Sequence, residues 1–410
     1  MKFYTAHSKI YFYIIAISIF LFFTQFTLFA STYNSSTTGV TATFTPSSSE
    51  ESANLITDAY VATHFQFANF FTLDGKVSIN TDNILENSFY NNTAAYFTID
   101  EISGTYSFDT AIFEGQLTAF VGSFESPGTD IFGKKYLGIQ NIIPPILYPE
   151  TALESIPIYS IEGIGLAFGA KFSSPIATGL YVYYNDVVES TDSDETEKYV
   201  NIDTRIAKVS DNFFIDFCLG TSFPFETEVV DNELYISTHL DLHAMTTMVI
   251  GGNPYTNMFI QAGLSDFQVQ PTIDDDYISL DDIFIFLEPR FATKSLHYSF
   301  SLFCIPEDKT ETLEYIDNSV GTALSITSNP MLLFNSEGTI GGTISASVPN
   351  PAIEDYSVEN IDFQMTPYLD LKIQNNNLHT SLHTSLHIYP LRYNDIGTMF
   401  LYTMGYKIQI

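Results

Sequence analysis

The stretch Thr398-Met-Phe-Leu-Tyr-Thr-Met-Gly-Tyr-Lys-Ile-Gln-Ile410 decides what kind of object this chain is. Taken by twos from its end, it reads Ile410, Ile408, Tyr406, Met404, Tyr402 and Phe400, all apolar or aromatic. Between them lie Gln409, Lys407, Gly405 and Thr403, polar or small, with apolar Leu401 and Met399 only upstream. A strand points successive side chains to opposite faces, so this one has a greasy face and a mostly polar one. At about 3.3 Å per residue, roughly ten such residues, tilted, cross the hydrocarbon layer of a bilayer.

The same alternation recurs upstream. Ile361, Phe363, Met365, Leu369, Leu371 and Ile373 face one way, and Asp362, Gln364, Thr366, Tyr368, Asp370, Lys372 and Gln374 face the other. In a barrel the first set meets lipid and the second a wet lumen. Seventeen stretches read as strands between residues 58 and 410, among them 58–72, 93–101, 104–110, 113–124 and 233–245, with a further short run at Val77–Thr81. Bacterial single-chain barrels use even counts. The expectation is therefore an all-β, single transmembrane antiparallel up-and-down barrel of about 16 strands, with 14 to 18 allowed. A β-sandwich would alternate too, but at this length it needs several domains, and no linker interrupts residues 57–410.

Residues 1–30 carry Lys2, His7 and Lys9, then the apolar run Ile10 to Phe23, then small Ala30. That is the order of a secretory signal peptide, cleaved near Ala30–Ser31. Residues 31–56, rich in Ser, Thr and Asn, read as a flexible entry segment. The barrel then occupies 57–410.

The formal net charge of −33, with 15 Lys and Arg against 48 Asp and Glu, leaves no basic patch for nucleic acid. The acids gather in expected loops: Asp192, Asp194, Glu195 and Glu197, then Asp274, Asp275, Asp276, Asp281 and Asp282. They read as solvated loop tips, without the spacing of an EF-hand. Cys218 and Cys304 sit in alternating strands and read as isolated free thiols. His379, His383 and His387 repeat by four, which on a strand places all three on one face about 13 Å apart, too far to share a metal. His239, Asp241 and His243 alternate with Leu240 and Leu242 in the same lumen-against-lipid manner. There is no Gly-x-Ser-x-Gly, no His-Glu-x-x-His and no P-loop, so no catalytic residue, cofactor or metal is expected.

The longest aperiodic insert is FESPGTDIFGKKYLGIQNIIPPILYPETALESIPIY, between Phe124 and Ile161. It holds five prolines, Pro127, Pro144, Pro145, Pro149 and Pro157, and is too apolar for a disordered linker. Its charged groups are Asp130, Lys134, Lys135, Glu150 and Glu154.

Two of these features carry a family likeness. The final strand resembles that of outer-membrane β-barrel proteins, with Ile410 where that family usually ends in Phe. The likeness implies outer-membrane lipid around the barrel and recognition of Phe400, Tyr402, Met404, Tyr406, Ile408 and Ile410 by barrel-assembly machinery. Gly122, Phe124, Pro127, Phe132 and Gly133 resemble the segment of porins where an early strand leads into a loop that folds inward and narrows the pore. That resemblance implies that loop 125–160, if it folds inward, is the constriction and its five charged residues the groups that set ion preference; the alternative is a loop that covers the barrel mouth or packs on a neighbouring subunit. It also implies a homo-trimer. Porins place a row of Arg on the opposite wall, whereas Arg205, Arg290 and Arg392 are the only arginines here. The expected function is passive diffusion of small hydrophilic solutes across an outer membrane, with cations favoured by the acidic excess. A secreted or surface-exposed all-β adhesin is the alternative, and a narrower substrate-specific transporter differs only in the pore contents.

Overall fold

The computed structural model describes residues 31–48, 52–67, 70–85, 95–149, 154–188, 196–224, 227–230, 233–236, 240–253, 256–269, 280–349, 361–375, 378–392 and 396–409. The expected signal segment, Glu150 and Ile410 lie outside these residues, as do His239 and most of the acids expected at loop tips.

Eighteen antiparallel strands close into one barrel. In chain order they are β1 (Ser31–Thr45), β2 (Asn54–Phe67), β3 (Phe71–Thr81), β4 (Ala95–Asp109), β5 (Phe113–Glu125), β6 (Ile161–Phe172), β7 (Ile176–Val188), β8 (Thr196–Ser210) and β9 (Phe213–Pro224). After a small hairpin, β10 (Thr227–Val230) with β11 (Glu233–Ile236), the wall continues with β12 (Asp241–Asn253), β13 (Thr256–Leu264), β14 (Ile283–Ala292) and β15 (Leu296–Cys304). It is completed by β16 (Val320–Ser328), β18 (Ser336–Val348), β19 (Asp362–Asn375), β20 (Leu378–Ile388) and β21 (Phe400–Gln409). The short β17 (Met331–Leu333) only extends the β16–β18 turn. Closure comes from β1, which pairs with β2 on one side and with β21 on the other, Thr37 opposite Gln409 and Phe44 opposite Tyr402.

The count of 18 lies at the upper end of the expected range of 14 to 18, and the differences from the strands read in the sequence have physical causes. Residues 31–45, read as flexible, form the closing strand. A lumen face asks only for Ser, Thr and Gly, so Ser35, Thr37, Gly39 and Thr41 serve as an inner wall while Val40 and Phe44 stand exposed outside. The run at Val77–Thr81 is the upper half of β3. The stretches 93–101 and 104–110 are one strand, β4. Ile102 and Ser103, between those stretches, pair regularly with Gly75 and Asp74, and the irregularity is a bulge just before them: Lys76 pairs with Glu101 and Val77 with Ile99, leaving Asp100 extra. Across that bulge sits Gly122 at φ 89, where any Cβ would strike the Asp100 carbonyl. The expected 233–245 divides into β11 and β12.

Alternation is borne out strand by strand. On β19, Gln364 and Thr366 are buried inside and Ile373 is exposed outside. On β21, Tyr402, Met404 and Tyr406 face outward and Thr403 is buried. The exposed outer surface is layered as well. Phe44, Phe97, Tyr184, Phe223 and Tyr402 stand near one rim and Phe70, Tyr106 and Phe291 near the other, with Val61, Leu117, Leu180, Ile202 and Ile344 between. Among the described residues, no helix is long and apolar enough to cross a membrane.

Both ends of the barrel's sheet, the start of β1 and the end of β21, lie at the rim where the turns are short, such as 110–112 and 173–175. The long connections, 126–160 and 305–319 among them, leave from the other rim.

Candidate luminal site

Loop 126–160 cannot continue a sheet, because its prolines remove backbone donors and fix φ. It turns at Gly128, φ 101, and again through a single π-turn over Gly133–Leu137 that ends at Gly138 in the left-handed region. Its apolar side chains need cover, and the lumen wall supplies it. Phe132, Leu147 and Ile158 are fully buried against a wall that turns from polar to apolar between β6 and β15, with Ala167, Ala207, Met245, Phe259 and Phe286 beneath them. Ile158 packs against Gly128 on the loop and Gly263 on β13, where side chains would collide with it. Gln261 Nε2 donates to the Gly128 carbonyl at 2.5 Å, tying loop to wall.

A buried charge cluster pins the loop's base. Arg205 on β8 donates to both Asp216 oxygens through Nε, at 3.0 and 3.2 Å, and through Nη2 to Oδ2 at 2.6 Å. It reaches Glu125 at 3.5 Å and lies over the Phe132 ring at 4.5 Å. The Tyr181 hydroxyl donates to Glu125 at 2.5 Å. Beside it, Asp203 accepts from Tyr159 at 3.1 Å and pairs with His243 at 2.9 Å.

The sequence-derived constriction residues divide. Asp130 is buried and closes on Lys134 at 2.7 Å, so it braces the turn. Lys135 pairs with Glu125 at 3.5 Å and projects over Phe124 and Tyr136. Burial would depress its ammonium, but Glu125 and Tyr136 together hold it above its ordinary value. Lys135 and Glu154 line a cavity of about 460 Å³ between the loop and the β1–β5 wall. That wall is polar throughout, with Thr37, His64, Asp74, Lys76, Glu101 and Thr105 on it. Glu101 is within electrostatic reach of Asp74, Glu154 and Lys135, and Lys407 on β21 is within reach of Lys134 and Glu154. The three arginines are scattered: Arg205 under the loop, Arg290 beside Glu288 at 2.8 Å, and Arg392 on Asp362 at 2.7 Å.

A second loop, 305–319, also folds inward, and the sequence reading missed it. Ile305 and Ile316 are fully buried, and Leu313 meets Pro149 of the first loop in a single backbone bridge. Its anchor is Glu314. His383 Nε2 lies 2.7 Å from Glu314 Oε1, His383 Nδ1 lies 2.6 Å from Asp370, and Ser385 also donates to Glu314. Gln364 donates to the Glu314 carbonyl at 2.9 Å. The histidine repeat does line one lumen face, with His383 and His387 gathered around this carboxylate. The apolar Leu313-Glu-Tyr-Ile316 run between two strands was the available signal. A larger cavity, about 900 Å³, lies under both loops, bounded by Ile143, Tyr148 and Tyr315 above and by Arg290, Asp370 and Lys407 on the wall.

Two carboxyls of this loop respond oppositely to pH. Burial would raise Glu314, but His383 and Ser385 outweigh it and lower the group below its ordinary 4.5. Burial and then the neighbouring Asp362 push Asp317 up to about 6 from 3.8, against the opposing pull of Arg392 and Tyr389. A raised acid takes up a proton on folding between those two values, so its effect stabilises the loop as pH falls toward 4 and is lost as pH rises through 6. Above pH 4.5 Glu314 holds its full contribution, so of these two carboxyls only Asp317 contributes to the slope there. Asp317→Asn is expected to flatten the rise in the heat-modified gel-migration midpoint between about pH 7 and pH 5. A wild-type slope retained in this variant would contradict the assignment.

Among the described residues no group of three His, Cys, Asp or Glu could hold a metal ion. Cys218 and Cys304 are free thiols.

No protein-family model matches the chain, and no curated protein matches it. Among solved structures, OccAB3 of Acinetobacter baumannii is similar at 9% identity and TM-score 0.49, covering 92% of this chain and 99% of that one. Wzi of Escherichia coli, described as a carbohydrate-binding outer-membrane β-barrel involved in capsule assembly, gives 9% identity and TM-score 0.47, covering 93% and 85%. OmpF of Salmonella typhi, in complex with daunomycin, gives 9% identity and TM-score 0.40, covering 92% and 97%. The likeness is one of fold: this chain is a closed all-β barrel whose structural neighbours include porins and outer-membrane barrels.

Proposed function

We propose that the chain is a porin-like channel of a bacterial outer membrane, passing small hydrophilic solutes by passive diffusion and performing no chemistry on them. One observation carries this reading: the wall is apolar and aromatic-rimmed outside yet polar and charged inside, around water-accessible space. An 18-strand barrel is wide enough for an aqueous channel, and two inward loops narrow it. The passage is the cleft between loop 126–160 and the β1–β5 wall, because the loop is packed onto the other side. The outward residues of β21 present the apolar strand that barrel-assembly machinery would read. Cation preference is modest, since Lys135 lines the same cleft as Glu101 and Glu154. In a planar bilayer with a salt gradient, stepwise conductance with a small cation-positive reversal potential is expected. A protein that stays soluble without detergent, with no heat-modified gel shift, would favour the adhesin alternative.

A further inference from the structure

The cavity of about 900 Å³ beneath the two loops differs in chemistry from the charged cleft. Pro149 bridges Leu313 in its roof, which brings Tyr148 of the first loop near Tyr315 of the second. Below them the lumen face runs from Arg290 on β14 to Tyr368 on β19. Between these two, strand register places the hydroxyls of Ser299, Ser325, Thr327 and Thr343 on the cavity wall. Gly341, opposite Tyr368, leaves room for that ring to lie down against the wall, since a Cβ there would strike it. Tyr315 stands 5.6 Å from Tyr368 at 56°, so the two rings form a corner at this end.

The charges along this track are paired with one another. Arg290 Nε donates to Glu288 at 2.8 Å, and His383 lies between Glu314 at 2.7 Å and Asp370 at 2.6 Å. Lys407 and Asp211, one of each sign, lie on the lining beyond its two ends. Ring faces and hydrogen bonds are what the track offers a solute. Two of its donors, the Tyr148 hydroxyl and Arg290 Nη2, are buried without a partner among the described residues, an unfavourable state that a ligand acceptor relieves. Tyrosine rings with hydroxyls between them match a pyranose, which has apolar faces and a rim of groups that both donate and accept. Arg290 and Tyr368 are four strand spacings apart, roughly 19 Å round the wall. That is too wide for one sugar ring and suits a short chain of them.

Building on the channel reading above, we propose that this track binds a short neutral oligosaccharide within the lumen. One ring lies against Tyr368 and Tyr315. Another lies under Tyr148, where its hydroxyls accept from Tyr148 and Arg290.

The test is single-channel current through the full chain in a planar bilayer, with maltose or cellobiose, which differ in linkage, added to the bath. Sorbitol at equal mass concentration is the control, a polyol without a ring. The wild type is expected to show a saturable drop in current with at least one disaccharide and only a linear, viscosity-like fall with sorbitol. Tyr148→Phe keeps the ring and loses no internal hydrogen bond, so its heat-modified gel shift should be unchanged. Its half-blocking concentration should rise about two- to tenfold, the worth of one hydrogen bond. Tyr368→Leu, in channels of wild-type conductance, should raise it as well. A linear fall with all three solutes, or a half-blocking concentration unmoved in both variants, overturns the sugar track and leaves the channel standing. No stepwise current at all overturns the channel reading and the track with it.

Discussion

Arg205→Met is expected to loosen the constriction loop more than any other single side-chain change. Arg205 is fully buried and neutralises Asp216 while reaching Glu125, and its guanidinium covers Phe132. Removing it strands Asp216 as a buried charge with no cation, and breaking such a pair costs about 3–5 kcal/mol. Glu125 keeps Lys135 as a second partner, so the loss falls mainly on Asp216 and on the ring contact with Phe132. The expected readout is a clear drop in the temperature of the heat-modified gel shift, together with noisier open-channel current. The double variant Arg205→Met, Asp216→Leu should recover much of the loss, because an apolar pair of similar volume often replaces a buried ion pair without penalty. An unchanged midpoint in the single variant would show that this cluster does not hold the loop.

Excising the loop is the second large effect. Glu125 pairs with Ile161, so the chain enters and leaves the loop at adjacent points and a short Gly-Ser linker can close it. Without residues 128–157 the lumen gains the space that Phe132, Tyr136, Ile146 and Leu147 now fill. Conductance should rise several-fold. The barrel should also weaken. Phe132 and Leu147 alone each stand for about 1.5–3 kcal/mol of burial, and their removal uncovers Phe214, Met245 and Phe286 to water. Unchanged conductance would mean that the restriction lies elsewhere, with loop 305–319 the first suspect.

How much of this was legible in the sequence depends on which face a residue was asked to fill. Strands β19 and β21 could be read because their outer faces are unbroken apolar series. Strand β1 could not, because its lumen face is Ser and Thr and its outer face includes Thr38 and Ala42, so its composition matches that of a loop. That loop 126–160 is neither strand nor solvated linker was readable from five prolines among Ile, Leu and Phe, whereas its inward course was only what the likeness to porins implied. Its charges were not readable one by one. Asp130 and Lys134 are four apart and close on each other, and the roles of Lys135 and Glu154 follow from Glu101 and Lys407, far away in the chain. Loop 305–319 escaped because its signal is a single buried run around Glu314, whose partner His383 lies about seventy residues downstream.

The most direct test of the passage between loop and wall is thiol modification during current recording. Thr37 on β1 lines the open cleft, whereas Thr247 on β12 is buried under the loop. With the wild type, which retains Cys218 and Cys304, as the background, a cationic methanethiosulfonate should step the current down in Thr37→Cys and leave Thr247→Cys unaffected. A step at Thr247→Cys with none at Thr37→Cys would place the conducting path on the other side of the loop and contradict the account.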